Sequence, residues 1–91
     1  MPFDIFSCSP QAQSRLKPVE NPVKGDTIVH MNAKFPFTLL DYGQSFALMF
    51  EAGDEANLRS AMRYHNLKRN GKEFEIVKHV EGKCFELVRV K

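Results

Sequence analysis

At 91 residues the chain holds one small domain and one core. Its 43% hydrophobic content, eight phenylalanines and 26% charged residues supply that core and a hydrated surface, which excludes wholesale disorder. Thirteen Lys and Arg against eleven Asp and Glu leave a formal charge of +2, too even for bulk attraction to a polyanion, so a nucleic-acid partner must be argued from where the cations sit.

Residues 1–30 carry four of the five prolines, Pro2, Pro10, Pro18 and Pro22, and show no sustained apolar period from Ser7 to Asp26. Such a stretch buries too little to offset the entropy of ordering it. The sequence therefore predicts a flexible arm over 1–30, with a short strand at 27–31, ahead of a single α+β domain over 31–91. Phe3, Ile5 and Phe6 read either as a frayed terminus touching the domain or as the arm's apolar anchors for a partner. Ile5-Phe6-Ser7-Cys8 has the look of a lipobox but lacks the apolar stretch that a signal peptide places before the cysteine. Cys8 and Cys84 are expected as reduced thiols in a cytoplasmic protein. No apolar run approaches the ~18 residues of a membrane helix, so no membrane partner is expected.

From Phe46 the chain alternates, with Phe46, Leu48 and Phe50 on one face and Ser45, Ala47, Met49 and Glu51 on the other, which predicts a strand. Gly53 breaks the run. Asp54 offers an N-cap carboxylate and Glu55 a negative charge where the helix dipole favours one. The helix is predicted over 55–69, with Lys68 and Arg69 in its last turn and Asn70-Gly71 as a left-handed stop. Leu58, Ala61, Met62, Tyr64 and His65 form its apolar stripe, and Arg59, Arg63, Asn66 and Asn70 an outward one.

Beyond the stop, Phe74, Ile76, Lys78 and Val80 alternate with Glu75, Val77 and His79, and Glu81-Gly82 turns the chain into Cys84 to Val90. A two-residue loop would set Ile76 against Leu87, Lys78 against Phe85, Val77 against Glu86 and Glu75 against Val88. The fold class is α+β, ordered strand-helix-strand-strand, with one helix packed on a mainly antiparallel three-stranded sheet. The helix should cover the face bearing Phe74, Ile76, Phe85 and Leu87.

Catalytic constellations are wanting. Glu73 and Glu75 read as a solvated strand face rather than an acid/base pair. His79 opposite Cys84 is the one meeting of metal-capable groups, at no finger or knuckle spacing. His65 reads as a core-edge histidine, and the five glycines stand singly at turns instead of forming a phosphate cradle. The expected protein is not an enzyme and uses no cofactor, metal or small-molecule substrate.

A binding face is better founded. Arg59, Arg63 and Asn66 recur at helical spacing, and Lys68, Arg69 and Lys72 follow at the same end. Arginine presents a fork for phosphate oxygens and asparagine can pair with adenine in a major groove. In this expectation the cations neutralise phosphates while Asn66 supplies the base discrimination. The alternative is a protein-binding modulator or inhibitor of a host enzyme, acting through an unpaired sheet edge or through Phe3, Ile5 and Phe6 of the arm.

Phe35-Pro36-Phe37 with Leu40, then Gly43-Gln44-Ser45-Phe46, then Asn57-Leu58-Arg59-Ser60-Ala61 with Tyr64 and the closing hairpin, resembles a family of small phage and prophage proteins of uncharacterised function. The resemblance covers about residues 31–91. It departs at Cys84-Phe85, where an Arg or Trp pattern would be expected. It implies a phage or mobile-element setting, with a nucleic acid or a host or phage protein as partner, and contributes no catalytic residues.

Overall fold

The computed structural model describes residues 3–27, 34–68 and 70–91. Strand β1 is Phe6–Ser7, helix α1 Pro10–Gln13, β2 Gln44–Met49, α2 Glu55–Leu67, β3 Phe74–His79 and β4 Cys84–Arg89. The four strands form one sheet in the order β1-β2-β4-β3, with every neighbouring pair antiparallel. The α+β class stands, with four strands where the sequence predicts three. The added strand comes from the segment read as an arm. Apart from Thr27, the strand expected over 27–31 lies outside the described residues.

The hairpin has the register that the alternation demands. Ile76 faces Leu87, Lys78 faces Phe85, Val77 faces Glu86 and Glu75 faces Val88. β2 joins the other side of β4, with Phe46 opposite Leu87 and Leu48 opposite Phe85. Because side chains alternate across a strand, these pairings gather Phe46, Leu48, Phe74, Phe85 and Leu87 on one face. There they form a core with Phe35, Phe37, Leu40 and Leu58, and Ala61 and Met62 of α2 pack against it. Each fully buried side chain of this size contributes about 1.5–3 kcal/mol, so this cluster is the main source of stability. The apolar stripe of α2 is narrower than predicted, because Tyr64 points to solvent at 61% exposure.

The opposite face of the sheet is covered by the N-terminal segment. Cys8 and Ala12 are buried with Val77, Val88 and Val90, and Leu16 packs beside them. Ser9 caps α1 by accepting from the Ala12 amide at 3.2 Å, and Pro10 occupies the first helical position, where a missing N–H costs nothing. Backbone bonds hold the segment at three further places: Cys8 N to Gly43 O at 3.0 Å, Lys17 N to Val90 O at 2.8 Å and Asp26 N to Thr38 O at 2.7 Å. Phe3 and Ile5 join the core on the helix side, with the Phe3 ring 5.6 Å from Phe35 and 5.3 Å from Phe46. Cys8, Ala12 and Leu16, spaced four residues apart around the Ser9-Pro10 helix start, meet the sheet on one side of the segment.

The hairpin turn places its strain on an unexpected residue. Lys83 takes φ +52°, whereas Gly82 stays out of the left-handed region. A residue with a Cβ pays about 1–2 kcal/mol there, part of which glycine returns through its greater freedom when unfolded. Lys83→Gly is therefore expected to stabilise the protein by about 0.5–1 kcal/mol in urea unfolding. Gly82→Ala, whose Cβ would stand 3.6 Å from Cys84 Sγ, should leave stability at or above wild type.

Candidate binding surface

α2 lies along β3, antiparallel to it. Near the start of the helix, Arg59 borders a hollow of about 590 Å³ with Phe50, Lys78 and Phe85. Towards its end, Met62, Arg63 and Leu67 line a larger cleft of about 830 Å³ with Phe74, Lys72 and Lys17. The row predicted on the outward face of the helix thus overlooks the edge of the sheet, since β3 is its last strand.

Within that row the side chains have unequal freedom. Asn66 is half-buried, not outward. Its Nδ2 donates to Phe74 O at 3.1 Å and its Oδ1 accepts from Phe74 N at 2.8 Å, so the amide serves the outward peptide groups of β3 as a neighbouring strand would. Both hydrogen-bonding ends of the proposed base reader are engaged inside the fold. Arg59 Nε donates to Glu55 Oε2 at 2.7 Å, one helical turn back, and its guanidinium lies 5.9 Å from the Phe85 ring centre. Arg63 is exposed and has no ion-pair partner among the described residues. Lys68 is exposed, with Nζ 4.8 Å from the Tyr64 ring centre. Lys72 is only 8% exposed. Arg69 lies outside the described residues.

Lys17 and Lys91 also line the larger cleft, though no local pattern marks either for it. Long-range pairing brings them there: Glu73 N donates to Lys91 O at 3.3 Å, and the Lys17 ammonium pairs with the Glu73 carboxylate. That pairing holds Glu73 below the ordinary carboxylate value and Lys17 above its own. Of the alternative anchors, Phe3 and Ile5 are spent on the internal core, and Phe6 is 39% exposed.

The edge itself is part closed and part open. Glu73 exchanges backbone bonds with Val90 and Lys91, so its groups point inward. Phe74 then points outward, where Asn66 satisfies it. By the alternation of an antiparallel ladder, the N–H and C=O groups of Ile76 and Lys78 also point outward. No hydrogen bond outside the sheet reaches them among the described residues.

Other expected roles change as well. Asp54 stands at the N-cap without a side-chain bond to the helix backbone; its Oδ1 accepts from Lys34 Nζ at 3.2 Å and Asn57 Nδ2 at 3.1 Å. His65 lies flat on Phe37 with ring centres 4.6 Å apart. Burial, with Lys68 and Lys72 nearby, pushes its pKa below the ordinary value of 6.5.

His79 does pair with Cys84 in register, but its Nε2 sits 2.7 Å from Glu86 Oε1. Glu86 is 2% exposed and also accepts from Ser9 Oγ at 2.5 Å and Ser9 N at 2.9 Å. Burial raises the pKa of this carboxyl. The Ser9 hydroxyl and amide outweigh that effect, aided by His79 and by the buried Ser45 hydroxyl, which lacks a well-formed bond of its own, and the pKa falls below 4.5. The serine hydroxyl addresses the carboxylate instead of the imidazole, so the trio latches the N-terminal segment and does not form a nucleophile with its base. Cys8 and Cys84 are unpaired thiols, and burial, followed by Glu86, raises the Cys8 pKa. Among the described residues no group of three or more His, Cys, Asp or Glu is placed to hold a metal, and no helix is long and apolar enough to cross a membrane.

The site defined by these residues is a basic helix flank above a partly open sheet edge, on a small α+β scaffold. Comparison of the chain with family models, with curated proteins and with solved structures finds no match.

Asn66→Ala leaves the Phe74 peptide groups without their partners, and is expected to cost about 1–3 kcal/mol in urea unfolding and to accelerate amide exchange at Phe74. The pH dependence has a defined sign. His65 and Glu86 both have folded pKa values below their unfolded ones, so the stability that each contributes is complete above the unfolded value and lost as pH falls through the folded one. Stability should decline in two stages, the first starting below pH 6.5 and the second below pH 4.5. Unfolding curves of His65→Gln recorded from pH 8 to 3 should lack the upper stage.

Proposed function

We propose that this protein is a non-enzymatic binding module that takes an extended segment of a partner protein onto the open part of β3. The observation carrying this reading is the pair of outward-pointing residues, Ile76 and Lys78, next to an end that Asn66 has already closed. An edge closed over one residue and open over the next two offers a defined landing length, and an added strand would satisfy groups that otherwise face water. Apolar side chains at the cleft, Met62 and the 70%-exposed Leu67, supply contact area beside the backbone bonds. The phage or prophage setting implied by the sequence resemblance suits a modulator of a host enzyme.

Nucleic-acid binding is the second reading. It is favoured by Tyr64, exposed beside Lys68 and close to Arg63, because a basic patch with an upward-facing ring is what single strands stack on. With Asn66 engaged in the fold, such a contact would rest on phosphates and stacking and carry little base discrimination.

Amide NMR separates the two. Strand-forming peptides should shift Ile76 and Lys78, and Lys78→Pro should abolish the effect, since its missing N–H is on the outward side and leaves the β4 ladder intact. Short DNA or RNA should, on the second reading, shift residues 63–72 and lose affinity steeply between low and physiological salt. Peptide shifts that survive Lys78→Pro would sink strand addition.

A further inference from the structure

We infer that the strand accepted at β3 is acidic, with carboxylates at alternate positions that face Arg59 and Arg63. This inference rests on the strand-addition reading and adds the chemistry of the partner. Three carboxylates border the edge and its two hollows, and each already has a cation: Glu55 with Arg59, Glu73 with Lys17 and Glu75 with Arg15. Arg63, Lys72 and Lys78 border the same edge and make no ion pair among the described residues. The excess of positive charge is local, although the chain as a whole is nearly neutral at +2.

The spacing fits a strand. Arg59 and Arg63 are one turn apart, about 6 Å along the helix, and side chains on one face of a strand recur about every 7 Å. Because α2 runs along β3, carboxylates at positions i and i+2 of an added strand would meet the two arginines in order. Arg59 would exchange the exposed Glu55 carboxylate for that of the partner, a small cost because exposed pairs of this kind are weak.

The same charges argue against a second copy of this chain as occupant. Two β3 edges pairing antiparallel would bring Arg59, Arg63 and Lys78 of each copy towards those of the other, while Glu55, Glu73 and Glu75 beside them are already paired within each copy. Like charges held across an interface oppose docking. An acidic strand removes that repulsion and a neutral one leaves it unused.

The test uses short capped peptides that alternate threonine with glutamate, glutamine or lysine, titrated into the full chain at physiological salt and followed by amide NMR. The glutamate peptide should bind with shifts at Ile76 and Lys78. The glutamine peptide should bind the same amides on the order of tenfold more weakly, as expected for losing two facing exposed pairs, and the lysine peptide not at all. Arg59→Gln with Arg63→Gln, which leaves the backbone untouched, should erase the difference between the glutamate and glutamine peptides. Equal affinity of those two peptides for the wild-type edge would overturn the acidic preference while leaving strand addition in place. Failure of every peptide to perturb Ile76 and Lys78 would overturn strand addition itself.

Discussion

β4 is hydrogen-bonded on both sides, to β2 and to β3, and its residues from Phe85 to Arg89 are all buried, so both of its faces need a cover. A single helix can shield only one face of a sheet. α2 and the 35–40 segment take the face carrying Phe85 and Leu87, and the N-terminal segment takes the face carrying Glu86 and Val88. Placing β4 in the centre also leaves β3 outermost, and the exposure of its edge follows from that topology.

The central strand directs one charged side chain towards each cover. Glu86 reaches into the N-terminal layer and is held by Ser9 and His79. Arg89 is fully buried on the helix side, where Nε donates to Lys91 O at 2.9 Å and one terminal nitrogen to Leu40 O at 3.0 Å, while the other has no hydrogen-bond partner among the described residues. Burying such groups is costly, and they are poor sources of net stability. They do penalise misplacement, because a cover that slips by one residue leaves a buried charge without its partner. Apolar packing supplies the energy of this fold, and two polar anchors specify where the covering segments sit.

The functional residues divide in the same way. Arg59 and Arg63 are placed by helical periodicity alone, and their spacing was legible. Asn66 shares that period but lies beside Phe74 of β3, so its amide was drawn into the sheet. Tyr64 went the other way: its apolar ring suggested the core, yet the packed stripe of α2 is narrow and Lys68 keeps the ring at the surface. Lys17 and Lys91 are far apart in sequence and meet at the cleft through the backbone pairing of Lys17 with Val90 and of Glu73 with Lys91.

Near-neighbour patterns were enough for the hairpin register, the start of α2 and the helix-covered face, because alternation and helical period are set by residues within a few positions of one another; the helix ends at Leu67, short of the predicted 69, with Lys68 as its C-cap. Position 83 is one departure, since nothing local to the Glu81-Gly82 turn marks Lys83 as the residue that takes a positive φ. The place of the N-terminal segment depended on a contact no local pattern contains. Ser9 and Glu86 are 77 residues apart, and neither residue type announces the other. Cys8, Ala12 and Leu16 look too sparse to bury until a sheet face is present to receive them, and the edge of β3 becomes a surface only once β4 has taken the centre. Pairing over such distances is decided by which faces remain uncovered when the local elements meet, a property of the assembled chain.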